Sequence, residues 1–154
     1  MSAKIRSASM QQLLEIAEDE NIAVEYKRFK SDINGMYLQV PDCQPVIYLS
    51  LKLHSDYRLH RCVLAEEIGH HFTSAGERTP KKHHSMQDRL SIDKCEYKAL
   101  RWAANYLIPE HDLIDVISEG LCEIWELAEH FDVTEELMRF RLRLWGIKAT
   151  EGIL

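Results

Sequence analysis

Apolar residues recur at helical spacing at Met10, Leu13, Leu14 and Ala17, which predicts an amphipathic helix within the first twenty residues. Ile22, Val24 and Tyr26 then alternate as a short strand does. Asn34-Gly35 is a turn signal. Met36, Leu38 and Val40 alternate again, and the stretch 41–45, bounded by two prolines, separates them from 46–51, a run apolar enough for a buried strand. These last two strands are expected to pair as an antiparallel hairpin. Residues 57–73 lack proline, have Gly69 as their one glycine, and place Val63, Leu64, Ile68 and Phe72 on an apolar side. A second helix is predicted over 93–107, with Pro109 soon after its end. Between the two helices, 76–90 is polar and reads as a surface loop, its Lys81-Lys82-His83-His84 run solvated rather than in contact with metal or substrate. Leu121, Ile124, Trp125 and Ala128 form a further helical stripe, and Thr134 is a candidate N-cap followed by Glu135 and Glu136. Helix, small sheet, then helices gives an α+β fold class.

The chain has 154 residues, 45% of them hydrophobic, which is enough for one good core. The expectation is one domain, 1–154: helix and sheet to 55, two helices joined by a polar loop over 56–108, and closing helices from 109. A net charge of −6 argues against nonspecific attraction to nucleic acid or an anionic membrane. Residues 1–20 lack the apolar core of a secretory signal, and no stretch approaches the ~20 apolar residues that span a bilayer. Cys43, Cys62, Cys95 and Cys122 form no C-x-x-C pair, as expected of scattered thiols in a reducing cytoplasm. Cys62 and Cys95 read as core thiols.

The chemistry concentrates in Leu64-Ala65-Glu66-Glu67-Ile68-Gly69-His70-His71. This has the shape of the zinc-hydrolase helix H-E-x-x-H, with Glu66 at the first His position. Helical geometry puts Glu66 and His70 on one face, about 6 Å apart along the axis, with Glu67 about 100° further round. A site of this kind needs a third protein ligand and an open position for water. Glu96 is the candidate, on a stripe with Ala99 and Ala103 whose small side chains allow tight packing against the first helix. A small residue at 69 serves the same close approach. An isolated acid pair on a helix is more often a solvated face. Here Ala65, Ile68 and Gly69 beside it, and the matching second helix, favour a metal site. His71 points about 100° away from His70 and is expected to pack or support, substituting as a ligand only if Glu66 does not bind. His60 reads as structural or at the cleft rim. The 46–51 strand either holds a substrate peptide by strand addition or only roofs the core.

The C-terminal tract LAEHFDVTEELMRFRLRLW also has helix-turn-helix spacing, which opens a DNA-binding alternative. Against it, Glu135 and Glu136 would repel phosphate at the start of the recognition helix. Arg139, Arg141 and Arg143 spread round the helix, successive members being about 200° apart.

LAEEIGHHFTS, followed by E-Y-K-A-x3-A-x3-LIP, resembles the ImmA/IrrE metallo-endopeptidases, in particular their small phage- and mobile-element-associated members. The resemblance extends to LLEIAEDENIAVEYKRF, NGMYLQV and PVIYLSLKL at the start and LAEHFDVTEELMRFRLRLWG at the end. It implies a minimal zincin-like fold and a zinc-dependent endopeptidase whose relatives relieve repression by cutting a repressor protein. Carried over by position, the family's His-Glu pair falls on Glu66 and Glu67, its second ligand on His70 and its third on Glu96. Metal ligands Glu66, His70 and Glu96 and catalytic Glu67 are thus implied, with Zn2+ as cofactor. Two carboxylates and one imidazole neutralise a divalent cation and favour harder ions than a His-rich set does, so Mn2+ is the alternative. The implied partner is a protein substrate, a repressor; the alternative on the same fold is an anti-repressor that binds without cutting, which Glu66 favours.

Overall fold

The computed structural model describes residues 9–74 and 94–151, the side chains of the last helix as far as Gly146; the 76–90 stretch, with Lys81-Lys82-His83-His84, lies outside the described residues. Helix α1 runs Met10–Asp19. It begins at a capping box: the Ser9 hydroxyl accepts from the Gln12 backbone N–H, and the Gln12 side chain reaches back to the Ser9 N–H at 2.8 Å. Its buried residues are Leu13 and Ala17, two of the four predicted apolar positions.

Among the described residues three short strands follow: β1 (Ala23–Lys27), β2 (Gly35–Leu38) and β3 (Val46–Ser50). Their order in the sheet is β1-β3-β2, with β1 parallel and β2 antiparallel to β3. The expected hairpin is therefore present, but β3 is the central strand. Paired on both sides, it has no free backbone for a peptide, so strand addition at 46–51 is ruled out and β2 is the antiparallel edge. The register also corrects the reading of β2. Gly35 and Tyr37 stand opposite the fully buried Leu49 and Ile47. Because neighbours in register share a face, Gly35 and Tyr37 point to the helices and Met36 and Leu38 point away. Hydrophobicity alone favoured 36 and 38; the buried partners on β3 decide otherwise.

Helix α2 (Tyr57–Thr73) starts at Asp56, whose carboxylate accepts from the Leu59 N–H at 3.1 Å. It is followed by α3 (Lys94–Leu107), α4 (Glu110–Ser118), α5 (Ile124–Phe131) and α6 (Glu135–Glu151). Among the described residues, six α-helices and the small mixed sheet make this an α+β fold. Helix α2 is enclosed by the sheet, α1 and α3, and every residue from 60 to 70 is buried except Glu66. Buried polar groups cost free energy unless they are satisfied, so the polar residues of this helix each need a partner. Arg61 donates to the carbonyls of Phe131 and Asp132 at 3.1 and 2.7 Å, tying α2 to the turn between α5 and α6. Cys62 and Cys95 are both buried, as expected of core thiols.

The predicted cap of the last helix holds, while the predicted stripe Leu121, Ile124, Trp125 and Ala128 holds only in part, Leu121 lying before the helix. The Thr134 hydroxyl accepts from the Leu137 N–H at 3.2 Å, as an N-cap does. Trp125, however, is 56% exposed. Helix α5 starts only at Ile124, so its inward stripe is Ile124, Leu127, Ala128 and Phe131, and Trp125 falls outside it. In α6, Arg139 pairs with Glu135 at 3.1 Å on the surface, while the buried Arg141 donates to the Ile108 carbonyl at 2.8 Å.

His60 is a structural anchor. Its Nε2 lies 2.8 Å from the Tyr26 hydroxyl of β1, and its ring meets that of His54 edge-on. Burial, reinforced by the neighbouring His54, holds its pKa below the ordinary histidine value. The unfolded chain therefore takes up this proton at a higher pH than the folded one. Stability contributed by neutral His60 is full above the unfolded pKa of about 6.5 and is lost as pH falls below it. Urea unfolding between pH 7.5 and 5 should show this decline, with a shallower slope in His60→Gln; parallel profiles in the two proteins would remove His60 as its source.

Candidate metal centre

The site arises where α2 and α3 touch. A Cβ built on Gly69 would stand 2.5 Å from the backbone oxygen of Ala99, so the helices meet there at a separation only glycine permits. Ala99 and Ala103 are fully buried, as the small-residue stripe predicted. This close crossing brings Glu96 on α3 to His70 on α2, with Nε2 and Oε1 3.3 Å apart. Glu66, one turn before His70, completes the group. Each of the three offers one ligand atom, and these atoms all lie within 4.8 Å of one another.

The donor set fits a divalent cation. Two atoms each about 2.0–2.1 Å from one tetrahedral ion lie roughly 3.3 Å apart, which is the His70–Glu96 separation. The side chains are largely withdrawn from water, at 9% exposed for His70 and 18% for Glu96. Low local dielectric strengthens the attraction of two carboxylates for a cation.

Glu67 is 3% exposed and faces the sheet side of α2. It stands against β2: a Cβ on Gly35 would come within 3.0 Å of Glu67 Oε1 and 2.8 Å of Val63 Cγ1. Glu67 thus packs against the edge strand from the same helix that carries Glu66 and His70.

Neither of the other two histidines on α2 that the sequence singles out joins the ligand cluster. His60 is held by Tyr26. His71 Nδ1 lies 2.8 Å from the Tyr37 hydroxyl and its Nε2 lies 3.0 Å from Glu20, so both ring nitrogens are engaged elsewhere. It stays a support, as its position about 100° from His70 indicated. Phe72, on the expected apolar side, is instead 42% exposed, stacked on Trp102 of α3.

Sequence reasoning missed Gly35, Tyr37 and Arg61. Gly35 carried a signal, but the Asn-Gly pair was read only as a turn. Tyr37 was hidden by the more apolar Met36 and Leu38. Arg61 carried no local signal of burial; it is 1% exposed because α2 is enclosed.

The model of the Peptidase_M78 family, described as the IrrE N-terminal-like domain, matches residues 17–143. No curated protein sequence matches the chain. The family match reaches from α1 into α6 and takes in both helices of the metal cluster, well over half the chain, and on that ground the chain belongs to the Peptidase_M78, IrrE N-terminal-like family.

Proposed function

We propose that this protein is a metal-dependent endopeptidase that cuts a protein substrate, a repressor of a phage or mobile element. The observation that carries this is the convergence of Glu66, His70 and Glu96 beside the buried carboxylate of Glu67, in a family of metallopeptidase type. Glu66, His70 and Glu96 would hold the cation, with zinc the proposed ion and manganese the alternative. When bound, it supplies a Lewis acid that polarises the scissile carbonyl and eases deprotonation of water. Glu67 accepts the proton of the attacking water and passes it to the leaving amine. The outer edge of β2 offers backbone groups to an extended peptide by strand addition.

No nucleic-acid partner is proposed. The start of α6 exposes Glu135 and Glu136, and Arg139 is already paired with Glu135. No helix among the described residues is long and apolar enough to cross a membrane, and we place the protein in the cytoplasm.

Metal analysis of protein purified without a His tag tests the reading. We expect stoichiometric uptake of zinc on titration, and weaker uptake of manganese. In Glu66→His a neutral, softer ligand replaces a carboxylate, and zinc affinity should rise by about tenfold or more relative to manganese. Absence of bound metal together with absence of uptake on titration would refute the proposal.

A further inference from the structure

Helix α2 lies across the sheet, and a tyrosine–histidine hydrogen bond fastens it to each edge strand: Tyr26 of β1 to His60, and Tyr37 of β2 to His71. His60, Glu67 and His71 share the sheet-facing side of the helix, since seven and eleven residues are each close to whole turns. The second fastening is one turn from Glu67. It continues beyond the helix, because His71 Nε2 meets the carboxylate of Glu20 just past the end of α1. Three elements, α1, α2 and β2, are thus linked through one imidazole. Two residues before Tyr37 on the same face, Gly35 lies against Glu67 with no room for a side chain.

We infer that Tyr37 and His71 are positioning residues, which hold the edge strand at a fixed distance and register from Glu67. The inference rests on the endopeptidase reading above. A strand four residues long, paired on one side only among the described residues, is weakly held by its own ladder. A substrate chain adding to its free edge would carry its scissile carbonyl wherever β2 goes. Anchoring β2 to the helix that bears Glu67 makes that distance a property of the fold rather than of the bound peptide. Burial pushes the Tyr37 phenol above its ordinary pKa, so the hydroxyl stays protonated, and besides meeting His71 it donates to the Gln39 side-chain oxygen at 2.9 Å.

Tyr37→Phe removes only the hydroxyl. The amide of Asn occupies the place of an imidazole Nδ1 and that of Gln the place of Nε2. His71→Asn should therefore keep the contact with Tyr37, and His71→Gln should lose it. The test uses the full chain loaded with zinc and a proteome-derived peptide library, followed by kinetics on the best-cleaved peptide. In Tyr37→Phe and His71→Gln, kcat should fall by about ten- to a hundredfold with KM within about threefold, as for a displaced reacting group; His71→Asn should recover most of the loss. Amide exchange of residues 35–38, measured without substrate, should quicken about tenfold in the two damaging variants and not in the Asn variant. Unchanged exchange, equal loss in the Asn and Gln variants, or a rise in KM at constant kcat would each overturn the positioning role while leaving the endopeptidase reading in place. Failure of the unaltered protein to cut any peptide would remove the endopeptidase reading, and the positioning role with it.

Discussion

Glu67→Gln is expected to lower peptide cleavage by about a hundred- to ten-thousandfold, the usual contribution of a positioned general base. The substitution keeps size and shape and exchanges one carboxylate oxygen for an amide nitrogen, so the crowding against Gly35 and Val63 hardly changes. What is lost is the ability to take a proton from water. Metal uptake should be nearly unaltered, because Glu67 is not among the three residues whose ligand atoms converge. The measurement is the cleavage rate of the metal-loaded variant beside its zinc stoichiometry and its urea midpoint. Undiminished cleavage in a folded, loaded variant would eliminate the mechanism. Loss of cleavage with full relief of repression in cells would instead identify a protein that acts by binding.

Gly69→Ala should be the most damaging single methyl addition at the site. In an exposed helix, alanine for glycine stabilises by about 1 kcal/mol. Here the new methyl would lie 2.5 Å from a backbone oxygen of α3. That atom cannot swing aside as a side chain can; the two helices must separate. Overpacking of this kind costs on the order of 1–3 kcal/mol, against total stabilities of about 5–15 kcal/mol. Because the clash is with backbone, we place this case at the upper end, where it outweighs the gain in helix propensity. The separation also carries Glu96 away from His70, so zinc affinity should fall along with the thermal midpoint. A variant with unchanged midpoint and metal uptake would show that the close crossing is dispensable.

Much of the arrangement was legible in the chain. The spacing of Glu66, Glu67 and His70 follows from helical geometry once a helix is recognised, and α2 was recognised from its uninterrupted run and apolar side. Glu96 was found by its place on a small-residue stripe, which worked because Gly69 and the alanines answer each other across one contact. The order of the strands was not legible. Nothing local in 46–51 says that β1 pairs with it in parallel, since that pairing depends on chain segments about twenty residues apart. The inward face of β2 was likewise fixed by Ile47 and Leu49 on a neighbouring strand rather than by its own composition. The role of His71 needed both Tyr37 and Glu20, from two other elements, to be seen.

Glu66 is the one position from 60 to 70 that is only partly buried among the described residues. Every neighbour in that run is locked by contact, so a change of size or charge there risks the whole scaffold. At 66 the side chain is only partly enclosed, and it is there that this chain departs from the H-E-x-x-H pattern. The proposed ligand set is thus open to revision at a single point, through which a lineage could drift in metal preference without first rebuilding its core.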